Sequence, residues 1–368
     1  TEIMLIGIPK EQLAGEARVA MTPELVKKLV GKGFACQVQS GAGVAAGYPD
    51  TDYREAGAEL VDAARALAAN IVLKVRKPSQ QEISLMRDGA VYVGLIETCE
   101  DDGTLTAMFA RNIRPVSLER VPRISRAQSM DALSSQSNIA GYRAVIEAAA
   151  QYGRFFPLMM TSAGSAKPAR VVVLGVGVAG LQAIATARRL GAEVYAYDIR
   201  PETKEQIESV GAKAIVLDLG ESGSGEGGYA KELSDEAKAL QQKLLADELA
   251  KAHVIITTAL IPCRPAPTLV TEEVVMRMRD GSVIVDMAAA NGGNCPLSEV
   301  DKVVIKHGVK LVGHSNYPSM LAADASAFFA RNIVNLLDIM VEPSDDGLVF
   351  KDFDQDEITQ AALMRAQA

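Results

Sequence analysis

Along the first third of the chain, short apolar runs alternate with stretches whose apolar positions recur every three or four residues. Runs at 3–8, 35–39, 71–75 and 90–96 read as strands, and the stretches at 23–32 and 53–67 read as helices between them. Strand, helix and strand in succession predict right-handed βαβ units and a mostly parallel sheet. The same alternation restarts at Arg170, with strands expected at 171–174, 193–197, 254–257, 282–286 and 310–313. The fold class that follows is α/β, with two Rossmann-like, doubly wound parallel-sheet domains joined by long helices.

Two longer helical patterns set the expected boundaries. Over 137–151, Ile139, Tyr142, Ile146 and Ala150 share one face, and over 325–340, Phe328, Phe329, Ile333, Leu336 and Leu337 do the same. The second pattern follows the last strand of the second domain, so the chain is expected to cross back. The first domain is then discontinuous, 1–134 with 320–368, and the second spans 135–319. The run GESGSGEGG at 220–228 interrupts the alternation and predicts a mobile loop over 218–236. Tyr229 at its edge suits a lid over a ligand, and a plain linker fits the composition equally.

Composition narrows the class. Of 368 residues 48% are hydrophobic and 23% charged, which suits a folded globular chain. A net charge of -8 argues against binding nucleic acid. The four cysteines and three histidines show no metal-ligand spacing, so no metal is expected. The stretch 171–187 approaches the roughly 17 to 25 residues of a membrane span, but its three glycines and Gln182 read as strand, turn and helix. The opening residues lack the basic start and small-residue cleavage site of a secretion signal, so a cytoplasmic location is expected.

The strongest chemistry lies at 171–180, where the β-branched run VVVL leads into Gly175-Val-Gly177-Val178-Ala179-Gly180 and a helical pattern follows. Gly175 permits a tight turn, Gly177 lets a pyrophosphate approach the backbone, and Gly180 allows close helix packing. The helix N-terminus offers free N–H donors to the phosphates. Asp198 ends the next strand 23 residues after Gly175, where a carboxylate accepts hydrogen bonds from an adenosine ribose and disfavours a 2′-phosphate. Arg200 nearby is read either as a phosphate-accommodating cation or as a solvated or adenine-stacking side chain. A second, degenerate match, Gly41-Ala-Gly43-Val-Ala-Ala46, runs straight into Gly47, Tyr48, Pro49 and Asp50 and reads as a strand-end turn. The polar segment 123–135 precedes the expected interdomain helix, where a ligand cleft would open. Its plainer reading is a helix cap at Ser134 or Ser135 and a surface ion pair between Arg123 and Asp131.

With these residues in view, the chain resembles the NAD(H)-binding subunit, or domain I, of proton-translocating NAD(P) transhydrogenases, relatives of alanine dehydrogenase. The blocks that carry the resemblance are RISRAQSMDALSSQSNIAGYRA at 123–144, GVGVAGLQAIATA at 175–187, TTALIP at 257–262 and AANGGNCPLSE at 289–299. The resemblance implies that Arg123, Asp131 and Ser134 hold the nicotinamide end of NAD(H), and that Gln128 reaches toward NADP(H) on a partner domain. It also implies that the Tyr229 loop closes over the cofactor and that backbone at Thr258, Ala259 and Leu260 lines it. A homodimer follows from the same resemblance, as does a peripheral place on the inner face of a membrane through a membrane-spanning proton-channel subunit.

Two departures separate this chain from alanine dehydrogenase. That family has a catalytic His after the strand matching 91–96 and an Asp just before the double glycine. Here no His lies between Asp50 and Ala250, and Ala290-Asn291 precedes Gly292-Gly293, although the counterparts of the substrate-binding pair, Arg18 and Lys74, remain. An amino-acid dehydrogenase must exchange a substrate proton, whereas direct hydride transfer between nicotinamides needs only positioning. The first reading is therefore a transhydrogenase subunit, the second a freestanding alanine-type dehydrogenase, and the third an NAD-sensing regulatory module.

Overall fold

In the computed structural model, which describes residues 3–97, 99–220 and 234–367, the chain divides into two units, Thr1–Gln136 with Pro318–Ala368 and Ser137–Tyr317. The first holds strands β1 (Leu5–Ile8), β2 (Ala35–Gln39), β3 (Glu59–Val61), β4 (Ile71–Leu73), β5 (Val91–Gly94) and β6 (Arg114–Ser117). All pair in parallel, in the order β3-β2-β1-β4-β5-β6, so the winding reverses between β1 and β4. Ile6, Ile8, Ile71, Leu73, Val91 and Val93 are fully buried, as the continuous apolar runs require of strands covered on both faces.

The helices between these strands are α1 (Pro23–Gly31), α2 (Asp50–Glu55), α3 (Ala63–Leu67), α4 (Gln80–Leu85) and α5 (Thr104–Ala110). Local chemistry starts them: Pro23 opens α1, Asp62 caps α3, and Ser79 with Glu82 forms a capping box on α4. The stretch 53–67, expected to be one helix, is instead α2, β3 and α3. Gly57 at φ +102° breaks the helix, and Glu59, Leu60 and Val61 pair with β2. Strand β6, also unanticipated, is an edge strand that tolerates Pro115.

Helix α6 (Ala132–Gln151) starts five residues before the helix expected at 137–151, and the division between units falls inside it. In the second unit α6 is followed by a hairpin, β7 (Met159–Thr161) and β8 (Gly164–Ala166). Its sheet contains β9 (Arg170–Leu174), β10 (Glu193–Tyr197), β11 (Lys213–Ala214), β12 (Val254–Thr257), β13 (Val283–Asp286), β14 (Val303–Lys306) and β15 (Val309–Val312), in the order β11-β10-β9-β12-β13-β15-β14. Among the described strands of this sheet only β14 runs antiparallel. It pairs with β15 at the sheet edge with its side chains alternately exposed, a pattern too weak to announce a strand. Helices α7 (Val178–Arg189), α8 (Thr203–Ser209), α9 (Asp235–Ala250) and α10 (Glu272–Arg277) accompany these strands.

The chain re-enters the first unit at Pro318 and forms α11 (Ala322–Met340), the hairpin β16 (Val341–Ser344) with β17 (Gly347–Phe350), and α12 (Glu357–Ala362). Phe329, Ile333, Leu336 and Leu337 of α11 share a core with Ile6, Ile71 and Val91. Phe328, expected on the same face, is 44% exposed, because one residue along a helix turns the side chain by about 100°. Both sheets are of the doubly wound parallel kind that the alternation predicts. No helix among the described residues is long and apolar enough to cross a membrane.

Candidate nucleotide-binding site

The glycines at the end of β9 occupy three different environments. Gly175 has φ +92°, and a Cβ there would lie 2.5 Å from the Thr258 hydroxyl oxygen. A Cβ at Gly180 would lie 1.9 Å from the Gly175 carbonyl oxygen, so the first turn of α7 packs onto the turn it leaves. At Gly177 the same construction meets nothing within 4 Å. Gly177 is also the N-cap of the 12-residue α7 and supplies no side-chain cap. Leu181 donates to the Gly177 carbonyl at 2.9 Å, and the amides of Val178, Ala179 and Gly180 precede this first intrahelical bond. An open, uncapped N-terminus on a helix of this length presents free amide donors and the positive end of the helix dipole, the chemistry that suits an anion.

The competing match at Gly41 to Ala46 differs in this respect. A Cβ at Gly43 would strike the Tyr53 ring at 2.5 Å, and the Tyr53 hydroxyl is fixed to the Met21 carbonyl at 2.6 Å. The space a phosphate would need is filled by an aromatic side chain, and a 3₁₀ turn, Val44–Ala46, follows. The segment is a strand-end turn.

Asp198 follows β10 and is nearly covered, with 8% of its side chain exposed. Its Oδ2 accepts the Val176 amide at 2.9 Å, which ties the strand end to the glycine loop, and its Oδ1 accepts the Arg200 amide at 2.9 Å. The Arg200 guanidinium adds Nε to Oδ1 and Nη2 to Oδ2, each at 3.1 Å. Burial would raise the carboxyl, but the Arg200 guanidinium and the two amides prevail and hold it below the usual carboxylate range.

Thr258 donates its hydroxyl toward the Leu174 and Gly175 carbonyls at 3.1 and 3.0 Å and thus seals β12 onto the same turn. Ala259 is held through its carbonyl, which accepts Asn294 Nδ2 at 2.9 Å, and Leu260 is half exposed. Behind them stands Asp286, fully buried at the end of β13. It accepts the amides of Ala288, Asn294 and Cys295 at 3.0, 3.1 and 3.0 Å and the Ser298 hydroxyl at 2.7 Å. Sequence reasoning did not identify Asp286, Asn294 or Gly141. A Cβ at Gly141 would lie 2.2 Å from the Ala179 carbonyl oxygen, so α6 reaches α7 only because residue 141 is glycine. A glycine inside an otherwise helical pattern was the one available signal.

Within the first unit, Arg123, Gln128, Asp131 and Ser134 line one pocket of about 350 Å³ with Pro122, Ile124 and Ala127. Asp131 accepts the Ser134 amide at 2.9 Å and the Ser134 hydroxyl at 2.6 Å, so Asp131, rather than either serine, caps α6. No ion pair joins Asp131 to Arg123 among the described residues. Gln128 is exposed on a 3₁₀ segment, Ser125–Met130, anchored from two sides. Asn332 and Asn335 donate to the Ser129 carbonyl at 2.9 and 3.0 Å, and Arg126 pairs bidentately with Asp356 at 2.9 and 2.8 Å. Tyr229 lies outside the described residues. No group of three His, Cys, Asp or Glu side chains suited to a metal occurs among the described residues.

Arg18 and Lys74 are also both buried in the first unit. Arg18 pairs with Glu16 through Nη2 at 2.5 Å and donates to Gln136 at 2.9 Å. Lys74, 1% exposed, has Glu11 at 3.3 Å and Glu82 at 3.5 Å. Burial opposes ionisation of Glu16, yet Arg18 holds it well below the carboxylate range, whereas burial pushes Glu11 up despite Lys74.

Comparisons with known proteins bear on the whole chain. Residues 7–140 match the family model described as "Alanine dehydrogenase/PNT, N-terminal domain", and 144–367 match "Alanine dehydrogenase/PNT, C-terminal domain". The chain is 52% identical to an NAD(P) transhydrogenase subunit alpha polypeptide of Rhodospirillum rubrum, over 95% of this chain and 93% of that one. It is 29% identical to alanine dehydrogenase of Bacillus subtilis, over 86% of this chain and 80% of that one. A crystal structure of transhydrogenase from Sinorhizobium meliloti superposes with a TM-score of 0.83 at 46% identity, covering 91% of this chain and 94% of that one. The chain belongs to the alanine dehydrogenase/PNT family, on the side of its transhydrogenase alpha subunits.

Proposed function

We propose that the chain is the NAD(H)-binding part of a proton-translocating transhydrogenase, which passes hydride from NADH to NADP⁺ held on a partner domain. The observation that carries the reading is the open, uncapped α7 N-terminus at Gly177, with Asp198 at the end of the neighbouring strand. NADH, when bound, supplies the hydride. The residues of this chain bind and orient it: the amides of Val178, Ala179 and Gly180 take the pyrophosphate, Asp198 takes the ribose, and Thr258, Ala259 and Leu260 line the edge. Arg123, Asp131 and Ser134 hold the nicotinamide end, and Gln128 faces the second nucleotide. In this reading 135–319 is the cofactor domain, and 1–134 with 320–368 is its companion. The membrane partner carries the proton path. The chain works as a homodimer, peripheral to the membrane on its cytoplasmic face.

Proton balance also supports hydride transfer without a substrate acid or base. The segment after β5 continues Leu95-Ile-Glu97 where an alanine dehydrogenase has its His, and Arg18 and Lys74 already have internal carboxylate partners in Glu16, Glu11 and Glu82. The decisive comparison is NADH binding by calorimetry beside NADH oxidation with pyruvate and ammonium. Binding without oxidation is the expected result. Pyruvate- and ammonium-dependent turnover by the isolated chain would replace this reading with an alanine-type dehydrogenase.

A further inference from the structure

Each oxygen of the Asp198 carboxylate accepts two N–H bonds, which fill the roughly four lone-pair sites a carboxylate has. Two of the donors are backbone amides, Val176 and Arg200, and belong to the turn itself. The other two are Nε and Nη2 of Arg200, on a side chain that is 51% exposed. A vicinal diol needs two acceptor sites on this carboxylate. The amide sites are fixed by the fold, so the sites available to a ligand are those under the guanidinium, whose exposed side chain can swing aside about its own torsions.

We propose that Arg200 is a gate on nucleotide choice: the ribose diol of NAD(H) reaches Asp198 by displacing the guanidinium, and the same ion pair keeps that guanidinium from serving a 2′-phosphate. The inference rests on the NAD(H) reading above and adds a specificity role for a residue two positions beyond the ribose acid. A 2′-phosphate meets the Asp198 carboxylate and finds the nearby cation already engaged. Loss of the Asp198 charge frees Arg200, and the site then favours the phosphorylated ribose through a charge-assisted pair.

The test is equilibrium titration of the full chain with NADH and with NADPH, followed by nucleotide fluorescence, for the wild type, Arg200→Met, Asp198→Asn and the double variant. Arg200→Met retains the aliphatic stem and binds NADH about two- to fivefold more tightly, the size expected for breaking a half-exposed ion pair. Asp198→Asn loses NADH affinity and gains NADPH affinity on the order of tenfold, and the double variant loses that gain. Weaker or unchanged NADH binding by Arg200→Met, or a gain for NADPH that survives in the double variant, overturns the gate alone. Failure of the wild type to bind NADH overturns the cofactor reading and the gate with it.

Discussion

A methyl group added at Gly177 meets nothing within 4 Å, whereas one added at Gly180 would lie 1.9 Å from the Gly175 carbonyl oxygen. The two positions therefore separate folding from ligand approach. Gly177→Ala is expected to keep the wild-type melting temperature and to lose most of the rise that saturating NADH produces, since only the ligand meets the new methyl. Gly180→Ala drives Cβ into backbone and is expected to lower stability by about 2 kcal/mol before any ligand is added. Thermal unfolding with and without NADH reads both, and equal responses of the two variants would contradict the assignment. Gln128 calls for a different measurement, because it is exposed and is assigned to the partner nucleotide. Gln128→Asn is expected to leave NADH affinity intact and to slow hydride transfer about tenfold by misplacing the acceptor. Full-speed transfer by Gln128→Asn would remove it from the site.

Among the elements, the end of β13 organises the segment 288–298 and, through Asn294, the position of Ala259. Asp286 collects three amides and a hydroxyl from the segment 288–298, and Asn294 in turn fixes Ala259. Asp286→Asn turns an amide N–H₂ toward donors in a buried place, and a loss of about 3 kcal/mol in urea unfolding is expected, with weaker NADH binding through Ala259. Unchanged unfolding would show that the segment orders itself. Elements with continuous apolar runs were legible in the sequence, and β1, β2, β9, β10 and β12 lie where the runs do. Strands β3, β6 and β14 were not, because each is short, lies at a sheet edge and carries exposed or polar residues in part of its pairing. The glycine fingerprint was legible because its residues are contiguous. Asp286 was not, since its role depends on amides up to nine residues away converging on one carboxylate.

Across the whole molecule, buried charge links stability to pH. Glu16 ionises below its ordinary value of 4.5, because Arg18 outweighs the burial that opposes it. Its contribution is therefore fully present above about pH 4.5 and is lost as pH falls further toward the folded-state value. Glu16→Gln is expected to cost about 3 kcal/mol at pH 7, since Arg18 stays buried without that charge, and to unfold less steeply with acid between about pH 5 and 3. Urea midpoints across that range give the answer, and parallel pH profiles for the two proteins would contradict it. The family blocks pointed to the same transhydrogenase relatives that the comparisons return, but no periodicity in the sequence revealed the pairing of Arg18 and Lys74 with internal carboxylates. The central claim is direct hydride transfer, and rapid mixing tests it: the purified chain with NADH against an NADP(H)-binding partner polypeptide carrying a thionicotinamide analogue of NADP⁺. Fast reduction of the analogue that requires both proteins is the predicted result. No reduction, with NADH bound and the partner docked, would contradict the account.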